Sequence, residues 1–201
     1  MTFILNEDQI AFKEMAATFA REELAPKAAL WDKKSIFPVD VLKKSAQLGL
    51  AGIYASEEIG GSTLTRADAA IIFEELATEC ISTSAYLSIH NMVVGIIDSY
   101  ASADIKSRYG KKLTSMEWFS SYCLTEPSAG SDAASLKTNA VLDGDDYILN
   151  GSKAFISGGG VSDLYLVMAR TGDDSHKGIS CFAIEKNCTG LSFGKKEDKL
   201  G

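Results

Sequence analysis

Hydroxyl, glycine and carboxylate residues crowd into one stretch of this chain, Tyr122-Cys-Leu-Thr-Glu-Pro-Ser-Ala-Gly-Ser-Asp132. It begins as a strand, with Tyr122, Cys123 and Leu124 following Trp118 and Phe119, and then breaks into a loop. Pro127 lacks a backbone donor and disfavours helical geometry at Glu126. Gly130 lets the backbone approach a bound group closely. The hydroxyls of Thr125, Ser128 and Ser131 stand among the free N–H groups of such a turn, a combination that suits an anionic or polar ligand. The competing reading is a strand followed by an ordinary Ser/Asp turn, which composition alone favours. Glu126, beside its proline, reads as a solvated turn carboxylate rather than an acid or base.

Other reactive side chains are sparse. The two histidines, His90 and His176, have no His or Cys partner at ligand spacing, so no metal site is expected. Four cysteines, widely spaced and without a CxxC pair, read as reduced thiols rather than a disulfide framework. A net charge of −7 and a pI near 4.9 argue against a nucleic-acid surface. Lys195, Lys196 and Lys199 are diluted by Glu197 and Asp198 and read as a solvated tail. No apolar run is long enough to span a membrane, and no targeting segment is visible before the first helix.

The elements that must position the motif fall into two domains, 1–117 and 118–201. The first reads as helical. Asn6 with Gln9 makes a capping box for a helix whose stripe is Phe12, Met15, Ala16, Phe19 and Ala20, and Pro26 ends it. Pro38 starts a second helix that stops at Gly49. After the Gly60-Gly61 loop, Thr65 caps a third helix, with Ala69, Ile72, Phe73 and Leu76 inward. A helix over 85–100, apolar on most faces, and a shorter one over 103–113 complete this part. In the second domain, strands 141–142 and 147–149 flank a turn at 143–146. Asn150-Gly151 reads as a second hairpin turn into 154–156, and strands 164–168 and 179–184 follow. Closely spaced strands without intervening helices predict an antiparallel sheet, so the fold class is α+β: an all-helical domain, then an incomplete antiparallel β-barrel or sandwich.

The Tyr122–Asp132 motif resembles the flavin-binding signature of the acyl-CoA dehydrogenases. The resemblance continues through Leu5–Gln9, Phe37-Pro-Val-Asp40, Gly60-Gly61 and Gly151-Ser-Lys-Ala-Phe-Ile-Ser157. Ser88-Ile-His-Asn-Met92 and Gly194-Lys-Lys196 are similar to its short branched-chain branch. It covers the whole chain, yet such proteins are about twice as long, so the chain resembles a front half that lacks the C-terminal four-helix domain.

The resemblance implies flavin adenine dinucleotide (FAD) as cofactor. It implies flavin-ring contacts from Tyr122, Leu124 and Thr125, and from Phe155, Ile156 and Ser157. It implies close approach of the cofactor at Gly130 and Ser131, with Ser131 also facing the CoA thioester. Phe155 and Ser157 stand where many members carry Trp and Thr, and Ser128 where many carry Gly. Without the resemblance, Phe155 reads equally as a core aromatic. His90 reads as a satisfied core histidine; the resemblance makes Tyr86, His90 and Asn91 candidates for shaping an acyl pocket. The implied reaction is α,β-dehydrogenation of an acyl-CoA, with a glutamate from the C-terminal domain as base and electrons leaving to an electron-transferring flavoprotein. A homotetramer, in a bacterial cytoplasm or a mitochondrial matrix, is implied for the parent. An acyl-CoA oxidase or flavin monooxygenase of the same fold, or a non-catalytic interaction module, are the alternatives.

Overall fold

A computed structural model describes residues 4–173 and 175–197, and the chain divides into two units between Trp118 and Phe119. In the first unit Asn6 caps helix α1 (Glu7–Phe19) through the expected reciprocal box with Gln9. A π-helical turn, Ala20–Leu24, continues it, and the chain breaks at Pro26. A short helix α2 (Ala28–Lys34) follows that the sequence reading leaves unassigned: none of its residues is buried, so it carries no apolar stripe. Helix α3 (Val39–Gln47) has Pro38 just before its first turn and gives way to Gly49, whose φ of +76° a side chain would resist.

Helix α4 (Arg66–Glu79) starts from a second capping box, Thr65 with Asp68. The two boxes are joined: Gln9 Nε2 donates to Asp68 Oδ1 at 2.9 Å, fixing the start of α1 on the start of α4. Ala69, Ile71, Ile72 and Leu76 are buried, while Phe73, expected inward, is half-buried. Helix α5 (Ile81–Tyr100) packs on α4 and on α6 (Ala103–Thr114), which Ser102 caps. One face of α5 carries Asn91, Gly95 and Asp98 at helical spacing. Asn91 takes Ile53 N–H and the Leu50 carbonyl, and Asp98 takes Ser56 N–H and hydroxyl. Gly95 leaves room for the Tyr54 ring, which a Cβ there would meet at 2.8 Å. The irregular 50–56 segment is therefore ordered by α5, not by its own sequence.

The second unit is a five-stranded sheet of β1 (Ser120–Cys123), β2 (Asn139–Asp143), β3 (Asp146–Asn150), β4 (Leu164–Arg170) and β5 (Ile179–Glu185). A helical domain followed by a sheet domain is as expected, but the sheet is mixed. β2–β3 and β4–β5 pair antiparallel, whereas β1 lies parallel to β4, as does β2 at the single pair Asn139 and Arg170. The reason is topological: the β2–β3 hairpin and the 151–163 segment intervene between β1 and β4, enough chain for the crossover a parallel pair needs. β5 occupies the whole of one edge of β4, so β1 and β2 share the other. Cys123, Tyr165 and Val167 form a core against which Leu149, Ile156, Ile184 and Leu191 pack.

The turn at 143–146 is as expected, with Gly144 at φ +63° supplying the left-handed residue. The expected hairpin at Asn150-Gly151 does not form. Gly151 instead lies against the mouth of β2, where an added Cβ would meet Thr138 at 2.3 Å, so its glycine serves close approach rather than a turn. Residues 154–156, expected as a strand, are irregular. Lys199, of the expected lysine tail, lies outside the described residues.

Candidate functional site

The motif begins on β1. Pairing with β4 directs the backbone of Phe119, Ser121 and Cys123 toward β4; Leu164 N–H reaches the Phe119 carbonyl at 3.1 Å. Alternation then turns Tyr122 N–H and C=O, and Leu124 N–H, to the opposite edge, where no other strand runs among the described residues. Side chains alternate as well: Ser121 and Cys123 are buried, Tyr122 and Leu124 half-buried on the other face. Burial pushes the Cys123 thiol up to about 12, which makes it a core residue and not a nucleophile.

Beyond Leu124 the chain closes a tight loop. Glu126 and Ala129 exchange both backbone hydrogen bonds, at 3.0 and 3.1 Å, around Pro127 and Ser128. Ser128 keeps a negative φ, so the serine in place of a frequent glycine carries no backbone strain. A Cβ at Gly130 would meet no atom within 4 Å, so nothing within the chain requires glycine there. Ser131 is exposed, and Thr125 is half-buried.

Glu126 is the correction. It is 5 % exposed, not solvated. Its carboxylate accepts from Lys137 N–H at 2.7 Å, Thr138 N–H at 2.9 Å and Lys153 Nζ at 2.7 Å. Desolvation would raise its pKa, but Lys153, the Thr138 hydroxyl and the two amides together hold it well below the usual carboxylate range, at about 2. The Thr138 hydroxyl is buried beside it. Glu126 is a fixed anion, as its rejected acid/base role requires.

Lys153 ties this loop to the second candidate segment. Its Nζ also reaches the Leu124 carbonyl at 3.0 Å, and Ala154 N–H donates to the Thr125 carbonyl at 2.9 Å. Residues 124, 125 and 126 are thus each joined to 153–154. Immediately after the joint, Phe155 adopts φ +57°, a conformation costing a bulky residue about 1–3 kcal/mol. Its ring is 63 % exposed, so the core-aromatic alternative is excluded. Ile156 returns to the core, and the Ser157 carbonyl accepts from Ser121 Oγ at 2.6 Å. The structure therefore brings Tyr122, Leu124 and Thr125 together with Phe155, Ile156 and Ser157, and Ser121 joins them.

The three candidates on α5 lie in the helical unit and are taken up by packing. Tyr86, 5 % exposed, stacks edge-on to Phe37 with centroids 4.6 Å apart. His90 is wholly buried with Nε2 3.0 Å from the Leu113 carbonyl; burial lowers its pKa to about 4, against the weaker raising effect of that bond. Asn91 holds Leu50 and Ile53, as described above. Sequence reasoning missed Lys153 and Ser121 altogether. Neither carries a local signal, because each matters through a partner about 30 residues away.

Two family models match the chain: the acyl-CoA dehydrogenase N-terminal domain over residues 6–117 and the acyl-CoA dehydrogenase middle domain over residues 121–201. The chain belongs to the acyl-CoA dehydrogenase family. The chain is 57% identical over 197 residues to the mitochondrial isobutyryl-CoA dehydrogenase of Bos taurus, covering 98% of itself and 47% of that protein. Among solved structures it is similar to butyryl-CoA dehydrogenase from Megasphaera elsdenii, with a TM-score of 0.88 and 33% identity over 100% of this chain and 54% of that one. An FAD complex of PigA matches with a TM-score of 0.91 and 32% identity, covering 97% and 52%. The chain spans about half the length of the curated relatives it matches. The short branched-chain resemblance of the sequence is thus borne out at the level of the relatives, and the middle-domain match contains both segments that Lys153 joins.

Proposed function

We propose that residues 1–201 form the flavin- and thioester-binding part of an enzyme that dehydrogenates a short branched-chain acyl-CoA, such as isobutyryl-CoA, at its α,β bond. The observation that carries this reading is the open edge of β1, with Tyr122, Leu124 and Thr125 held beside the exposed Phe155. An edge offering an amide C=O, amide N–H groups and a threonine hydroxyl fits the alternating donors and acceptors on the rim of a flavin, and an exposed aromatic fits its face. Neither the Thr125 nor the Ser157 hydroxyl is taken by a described residue.

Bound FAD supplies the acceptor for the β-hydride. The residues of this chain do the rest of the holding: Tyr122, Leu124 and Thr125 orient the ring, Phe155 covers it, and hydrogen bonds near the ring tune its electronics. Gly130 and Ser131 offer unobstructed backbone and an exposed hydroxyl to the cofactor and the thioester chain. Tyr86, His90 and Asn91 act on acyl preference by placing α5. The Glu126 carboxylate is already held by three donors, so the α-proton is assigned to a glutamate of a C-terminal helical domain. The parent enzyme passes its electrons to an electron-transferring flavoprotein and assembles as a homotetramer, in a valine-type catabolic sequence.

The test is made on the whole protein that contains residues 1–201. Expected are the visible absorbance band of oxidised flavin, its bleaching by isobutyryl-CoA, and turnover with an electron-transferring flavoprotein. Peroxide formation in place of acceptor reduction would make it an oxidase, and absence of flavin would leave an interaction module. Residues 1–201 alone are expected to turn over no acyl-CoA.

A further inference from the structure

Three consecutive residues of the motif are fastened to two consecutive residues of the Lys153–Ser157 segment. Leu124 is held through its carbonyl to Lys153 Nζ at 3.0 Å, Thr125 through its carbonyl to Ala154 N–H at 2.9 Å, and Glu126 through its carboxylate to Lys153 Nζ at 2.7 Å. Glu126 also grips Lys137 N–H and Thr138 N–H at the entry to β2, so one buried anion gathers three separate stretches of chain. Lys153 is itself nearly sequestered, its side chain 10 % exposed against 4 % for Glu126. A pair so withdrawn from water is seldom retained for stability alone, because apolar residues of similar size do as well.

What the clasp holds explains its presence. Phe155 follows directly on the fastened Ala154 and precedes Ile156, which is anchored in the core. Between two fixed neighbours Phe155 is left in a left-handed conformation with its ring turned out. Thr125 sits between the fastened Leu124 and Glu126. The two groups offered to a ligand are therefore set relative to each other by one ion pair that is itself nearly withdrawn from solvent.

We propose that Glu126 is a positioning residue for the flavin: through Lys153 it sets the Thr125 hydroxyl and the Phe155 ring in one arrangement before the cofactor arrives. The proposal rests on the flavin reading of the motif. Preorganisation of this kind raises affinity by removing the ordering that binding would otherwise require.

The test compares the whole protein with its Glu126→Gln, Lys153→Met and combined Glu126→Gln/Lys153→Met forms. Each single change strands one charge and lowers the melting temperature; the combined form carries no unpaired charge and recovers most of it. FAD affinity of the combined form is expected to fall about tenfold, equivalent to about 1.4 kcal/mol. The visible circular dichroism of its bound flavin and its midpoint potential are expected to shift as well. Should the combined form not recover its melting temperature, Glu126→Gln/Lys153→Leu, which likewise leaves no charge unpaired, carries the same expectation. Wild-type affinity, dichroism and potential in the folded variants would overturn the positioning role and leave the flavin reading standing. A wild-type protein that takes up no flavin would overturn both.

Discussion

Two buried titratable residues behave in opposite ways on this chain, and acid separates them. His90 is neutral and buried, with a pKa near 4 against 6.5 for an ordinary histidine. Unfolding lets it bind a proton, so its contribution is complete above about pH 6.5 and is lost as pH falls from there toward 4. Glu126 is charged and buried, with a pKa near 2 against 4.5. Its contribution is complete above about pH 4.5 and is lost as pH falls toward 2. The His90 depression corresponds to roughly 3 kcal/mol by linkage. The expected outcome is two acid transitions: the helical unit weakens first, followed by near-ultraviolet and helix signals between pH 6.5 and 4, and the sheet unit weakens below 4.5. His90→Gln should remove the earlier window. A single transition unaffected by that change would show that His90 is not buried uncharged.

Among the elements, the β2–β3 hairpin shows how one glycine governs a junction. Asn139 pairs with Asn150, which places Thr138 beside Gly151. A Cβ at Gly151 would lie 2.7 Å from Thr138 Cα as well as 2.3 Å from its Oγ1, and no rotamer change moves a backbone atom away. Gly151→Ala is therefore expected to destabilise the sheet unit by about 1–3 kcal/mol. A lowered urea midpoint for the sheet signal checks this; an unchanged midpoint would mean that β2 and 151 can separate freely. Because Thr138 N–H also binds Glu126, the same change should loosen FAD binding. The helical elements are joined by bonds between residues far apart in sequence, through the linked caps of α1 and α4 and through Asn91 and Asp98 on α5.

At the scale of the whole molecule the two units differ in how their order is maintained. Helices α5 and α6 pack on their sequence neighbours, and α4 packs on both α5 and the distant α1. In the sheet unit β4 is buried along most of its length, yet the hairpin leaves Val141, Leu142, Tyr147 and Ile148 between 46% and 61% exposed. β3 is an edge strand anchored mainly by Leu149 on the core and by Tyr147 against Phe182, its other residues being exposed, so it should open at little cost in free energy. Hydrogen exchange on residues 1–201 is expected to be slowest across 66–113, intermediate at 164–170 and fastest at 139–150. Equal protection of 139–150 and 66–113 would refute this ordering.

The sequence alone determined what local chemistry controls. Asn6 with Gln9 and Thr65 mark helix starts because a capping side chain bonds within its own turn, and Gly144 marks its hairpin because φ is a one-residue property. The Tyr122–Asp132 motif was equally legible, since a strand breaking into a Pro/Gly loop is written in consecutive residues. Tertiary structure alone decided the rest. It made Glu126 a buried anion, because its three donors come from residues 137, 138 and 153. It turned Phe155 outward, because Ala154 and Ile156 are fixed on either side of it. It took Asn91 into packing, because its partners, the Leu50 and Ile53 backbones, lie outside its helix. It laid β1 parallel to β4, because pairing depends on how the chain returns and not on the strands' own residues. Partners brought together from distant positions leave no periodicity in a sequence, and most of this site is built from such partners.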